Sequence, residues 1–316
     1  RPGAQPALHR GDAATGGEVK LDSLATVVSD SNGGPGSVKF DVGDDGTINA
    51  PLLTNLNGLN VTLSGNHGFR PGTITDIDNA QIFLRNGAQF GGREIVANKF
   101  TNETFVGTGA GSSPQFFADG PGTLLDLSSL TEYEETLDGV VTRTVIASNG
   151  GVINLSNLHT IVKSGSGQVV FTATAAGQVQ LDNLLSISSQ TLQAQIVVDG
   201  PDSSVALPDR LLVDGALVRA INGGKHHLAE AVTLDNNATL DVLGIGNNTP
   251  GFMNIGMTDQ ATLGEIQIGP GGSLHGQGTI IGDLANAGLI APGFSPEIIS
   301  VVGDYTQEQA GKLEIE

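Results

Sequence analysis

Three short acidic runs bring together oxygen ligands and candidate proton carriers. "DVGDDG" at 41–46 holds Asp41, Asp44 and Asp45, "DID" at 76–78 holds Asp76 and Asp78, and "EYEE" at 132–135 holds Glu132, Glu134 and Glu135. Calcium takes carboxylate and carbonyl oxygens at turns, so Asp41, Asp44 and Asp45 form the candidate calcium set, and calcium is the one cofactor the residues suggest. Neither the EF-hand loop nor the Gly-Gly-x-Gly-x-Asp nonapeptide is present, and solvated turn acids are the competing reading. Of the six histidines only His226 and His227 are adjacent. Strand neighbours point to opposite faces, so that pair would not chelate one ion. Paired carboxylates on a strand face could also hydrolyse or eliminate glycosidic bonds, which makes a polysaccharide lyase or glycosidase the enzymatic alternative. Sugar sites often add aromatic platforms; here there are two tyrosines, Tyr133 and Tyr305, and 11 phenylalanines that read as an internal stack.

Other chemistry is excluded more directly. The chain has no cysteine, hence no disulfide, thiolate metal site or thiol nucleophile. There is no Gly-x-Ser-x-Gly elbow, and the runs "GPGTLL" and "GPGGSL" lack both phosphate-loop spacing and its lysine. A formal net charge of −19, with 14 Lys and Arg against 33 Asp and Glu, argues against nucleic acid as a partner, because that contact needs clustered cations. No stretch approaches the roughly 18 apolar residues of a membrane span, so no direct membrane insertion is expected. "RGD" at Arg10–Asp12 falls in an expected flexible N-terminal extension, residues 1–15.

The elements that must carry these residues are short strands. "GGVINLSNLHTI" at 150–161 recurs as "AGQVQLDNLLSI" at 176–187, with Ile153, Leu155 and Leu158 matched 26 residues later by Val179, Leu181 and Leu184. Val205 and Leu207 continue the interval, and Val145, Phe171 and Val197 are expected to keep it on a second apolar position, while Arg210 stands where a leucine is due. Alternation such as Ile153/Leu155 has the period of a strand with one buried face. The 46 glycines punctuate the units, and the glycine before each strand is expected to supply a positive φ. Only "KHHLAEAV" at 225–232 has helical composition. Strands too short to bury a face alone, repeated at 20–26 residues, imply an all-β chain wound as a right-handed parallel β-helix, a β-solenoid about 60 Å or more long at ~4.8 Å per coil. Ile153, Leu155, Leu158, Val179, Leu181, Leu184, Val205 and Leu207 are its expected core.

A second line of inference comes from residues 272–316. Gly276, Gly278-Thr279-Ile280, Gly282-Asp283, Asn286, Gly288, Ile290, Pro292-Gly293-x-Ser295-Pro296, Gly303-Asp304-Tyr305 and Gly311-x-Leu313-x-Ile315 closely resemble the module near the ends of β-helical passenger regions in bacterial exported surface proteins. Those are the autotransporter-like adhesins and the repeat-rich exported proteins of planctomycetes and cyanobacteria; Glu297 departs from the glycine usual there. The resemblance implies secretion, a β-helical shaft and a cell-surface or matrix role without catalysis. On this reading residues 16–220 are solenoid repeats and 221–316 a module that continues them. The stop within "KLEIE" implies that more protein follows. Expected partners are another protein or a second copy, through solenoid ends or edges, and glycans.

Overall fold

The computed structural model describes residues 10–13, 16–27, 38–103, 111–138, 141–190, 192–200, 202–208, 210–221, 225–228, 231–235, 238–243, 251–255, 265–270, 272–276, 278–281, 283–292 and 298–315. The chain is a parallel β-helix. Its first face is a 13-stranded sheet running from Arg10–Ala13 to Lys312–Leu313. Two 9-stranded sheets form the other faces, from Gln89–Gly91 to Ile299–Val302 and from Lys99–Asn102 to Tyr305–Gln307. A separate three-stranded sheet, Glu18–Lys20, Thr47–Ala50 and Gly68–Pro71, occupies the second side in the first coils. All the strand pairings are parallel, each with the strand one coil on.

Alternation builds the interior. Along the first face Phe40, Val61, Ile82, Phe116, Val145, Phe171, Ile196 and Val218 are successive register partners, each at most 2% exposed. Ile153, Val179 and Val205 stack likewise on the second face, and Leu155, Leu158, Leu181, Leu184 and Leu207 are buried beside them. One apolar cluster runs from Phe40 to Ile290, with Val19, Leu21, Ile299 and Val301 packed against its ends. The strands from Gly278 onward extend the same three sheets.

Several sequence expectations are corrected. Phe171 pairs with Ile196, not Val197, because that coil is one residue shorter; Val197 faces outward beside Thr172. Coil length is not held at 20–26 residues: Ile82 to Phe116 and Leu240 to Leu274 are each 34 apart, and Leu274 to Ile290 only 16. The described residues of "KHHLAEAV" are not helical. They lie in strands Lys225–Leu228 and Ala231–Asp235, where ladder pairing on both sides outweighs a weak local preference. Gly151 and Gly177 do not carry the positive φ; Asn149, Gly150, Ala175 and Ala176 do. Gly151 and Gly177 lack side chains because a Cβ there would strike the carbonyls of Ala118 and Ala147 in the preceding coil. Arg10–Ala13, the "RGD" segment, is a strand paired with Lys39–Val42 rather than a flexible extension.

Candidate functional site

The second side of the solenoid is broken between Gly68–Pro71 and Gln89–Gly91, which belong to different sheets although their coils are adjacent. Inside, the coils remain in contact through the Phe69 and Phe90 rings, 5.5 Å apart. Outside, the backbone ladder is replaced by an imidazole. His67 Nε2 lies 2.9 Å from the Gln89 carbonyl oxygen, and the Phe69 N–H donates to His67 Nδ1 at 3.3 Å. A carbonyl can only accept, so Nε2 carries the proton and the ring is neutral. Burial holds His67 below the ordinary histidine range, opposed by the Gln89 hydrogen bond and the Glu94 charge.

A groove opens at this break. One part, about 480 Å³, is lined by Asn66, His67, Arg70, Asn86, Gln89 and Glu94 with intervening glycines and Phe69. The next, about 430 Å³, shares Gln89 and Glu94 and adds Arg93 and Asp126. The single-turn 3-10 segment Gly92–Glu94 sets its edge, entered through Gly91 at φ 110°, where a side chain would strike the Asp126 carbonyl. Glu94 accepts from the Gly91 N–H at 3.1 Å, and Asp126 accepts from the Ser128 N–H and from Asn154 Nδ2, both at 3.0 Å. Two carboxylates, two guanidinium groups and three side-chain amides therefore line one solvent-open channel.

A second polar concentration is internal. Asn102, Glu135, Lys163 and Ser189 occupy successive rungs at one corner. Glu135 is fully buried and accepts from Asn102 Nδ2 at 2.6 Å and from the Leu137 N–H at 3.1 Å. Lys163, 2% exposed, donates to the carbonyls of Leu137, at 3.0 Å, and Ser164. Burial raises the Glu135 carboxyl, against the lowering pull of Asn102, Leu137, Lys163 and Arg143; burial lowers Lys163. Tyr133 packs inside against Phe100, Phe116 and Phe171. This corner fills the interior and opens on none of the groove residues.

The acidic runs take separate roles. Asp41 pairs with Lys39 at 2.9 Å, whereas Asp44 and Asp45 receive the backbone N–H and side-chain amide of Asn66 at 2.8 and 3.1 Å. Among the described residues no three His, Asp or Glu side chains gather closely enough to hold a metal ion. Asp76 and Asp78 belong to a turn ladder with Asn55, Asn57 and Thr101. Glu132 and Glu134 face out toward Lys99, at 3.9 and 2.7 Å, so "EYEE" is a strand and Glu135 is not a solvated acid. The phenylalanines are not all internal either. Phe83 and Phe117 face outward on the first sheet, 6.4 Å apart, with the Arg85 guanidinium 5.4 Å from the Phe117 ring centre. Comparison with models of known families, with curated proteins and with solved structures finds no match to the chain.

Proposed function

We propose that the chain is a non-catalytic structural and adhesive shaft of a bacterial surface or matrix protein, working outside the cell. The observation that carries this reading is the single apolar column and the 13-stranded face that runs the length of the solenoid, which favour a stiff spacer over a hinged or lidded catalyst. Its acidic groups are spread along that shaft, and many are committed to coil-to-coil hydrogen bonds at turns. Acidic faces of this kind suit spacing and surface presentation.

Catalysis of glycan cleavage is the second reading, favoured by Glu94 and Asp126 lining one groove. Incubation with neutral and acidic polysaccharides, followed by reducing-end and unsaturated-product assays, separates the two. The shaft reading expects no turnover, together with retention of the protein on a glycan- or cell-coated surface. Reproducible cleavage abolished by Glu94→Gln or Asp126→Asn would replace it with the enzymatic one.

A further inference from the structure

We propose that the groove at the break in the second side binds a neutral, hydroxyl-rich saccharide, which gives the shaft its adhesive contact; this rests on the adhesive reading above. The geometry sets the ligand class by what the walls offer. Exposed Arg70 and Glu94 line the same wall, and the exposed amides of Asn86 and Gln89, which donate one N–H to Ser64 Oγ at 2.8 Å and to the Gly122 carbonyl at 3.4 Å, keep a second N–H and an oxygen, so donors and acceptors occur together in the wall. A sugar ring matches that pattern, since each hydroxyl both donates and accepts. The first part of the groove, about 480 Å³, lies within the ~300–1,000 Å³ range of small-ligand sites.

Other classes fit less well. An anionic ligand would meet Glu94 and Asp126 beside Arg70 and Arg93, a lining with no net positive charge within a chain of net charge −19. An apolar ligand would find Phe69 and Phe90, each 3% exposed, and the half-buried Leu124 behind the polar wall. The groove also has an aromatic neighbour. Asn86 follows Arg85 around the corner from the outward pair Phe83 and Phe117, where the apolar face of a second sugar ring could stack while its hydroxyls reach the groove. His67 gives the site a fixed floor, because its ring spans the two strands that no backbone ladder joins.

The test is titration calorimetry of the whole chain with cellohexaose, xylohexaose, mannohexaose and laminarihexaose, with hexagalacturonate as the acidic comparison. At least one neutral hexasaccharide is expected to bind, and Arg70→Ala and Glu94→Gln are each expected to weaken it by about tenfold or more. Both side chains are exposed, so circular dichroism should report an unchanged fold, and Glu132→Gln on the third face should leave binding unaltered. No binding by any neutral probe at millimolar concentration, or binding of hexagalacturonate alone, would overturn the assignment. Neutral-probe binding that both groove variants leave within twofold would also overturn it, while leaving the adhesive reading intact, because the glycan contact would then lie elsewhere on the shaft. Retention of the protein on cell-coated surfaces is read separately and judges the adhesive role without reference to the groove.

Discussion

Two titrating side chains tie pH to stability in opposite directions. His67 is held neutral between the Phe69 N–H and the Gln89 carbonyl, and its folded pKa lies below the ordinary 6.5. Below that ordinary value the unfolded chain binds a proton that the folded chain still refuses, so His67's contribution is lost as pH falls through the folded value. A protonated ring would put an N–H against the Phe69 N–H and release the staple. Thermal melts from pH 7 to 5 should therefore show a midpoint drop in the wild type that is smaller in His67→Gln; equal slopes in the two proteins would refute the assignment. Glu135 behaves conversely, because burial raises its carboxyl above the ordinary 4.5. Its folded state holds the proton longer than the unfolded one, so stability declines as pH rises through that window. Glu135→Gln is expected to flatten that decline in denaturant midpoints measured between pH 4 and pH 7. The burial of Glu135 was open to inference in the sequence, since it shares strand parity with Tyr133, as Lys163 does with Ile161. His67 had no such signal: its role depends on a sheet break that no local pattern records.

At the scale of the element, glycines at two neighbouring positions of the repeat, one coil apart, answer different constraints. Gly150 has φ +80°, and an added Cβ would touch Pro121 only at ordinary van der Waals distance, 3.6 Å or more, so an alanine there meets chiefly the left-handed backbone penalty, about 1–2 kcal/mol. Gly177 has no positive φ, but a methyl would strike the Ala147 carbonyl oxygen, a backbone atom fixed within the first-face sheet. Gly177→Ala is thus expected to destabilise more than Gly150→Ala, by about 2–3 kcal/mol, in urea titrations of both variants. The reverse order would mean that backbone conformation, not closeness of coils, sets these positions. Repeat spacing made the strands at 152–154, 178–180 and 204–206 readable, because period-two alternation and a 26-residue offset agreed there. It failed where coils lengthen. A corner loop adds residues without disturbing the strands on either side, so 34-residue and 16-residue coils stack on the same column and leave no fixed period to detect. The outward Phe83 was legible as well, lying between the inward Ile82 and Leu84, but composition alone favoured an internal stack.

For the molecule as a whole, 13 strands on one face set a length of about 58 Å at ~4.8 Å per step. Such a rod has a large side surface for its mass, and at a net charge of −19 its copies repel one another at low ionic strength. Short-range attraction is available on the third face, where exposed Leu185 and Leu212 lie on neighbouring rungs, joined by the Leu212 N–H to Leu185 carbonyl bond at 3.0 Å, with Val162 one coil before. Screening decides between these forces. The Debye length is roughly 30 Å at 0.01 M salt, comparable to the rod's own dimensions, and about 3 Å at 1 M, shorter than a side chain. Lateral association of the shaft is therefore expected to grow with salt, and sedimentation velocity at low and high sodium chloride measures it directly. Leu185→Ser should reduce the high-salt assembly while leaving the low-salt monomer unchanged, since that side chain is 60% exposed and supports no core contact. An assembly that instead dissolves as salt rises would show that opposite charges, such as Lys99 against the acidic faces of a neighbour, hold the copies together, and that the exposed leucines have no part in it.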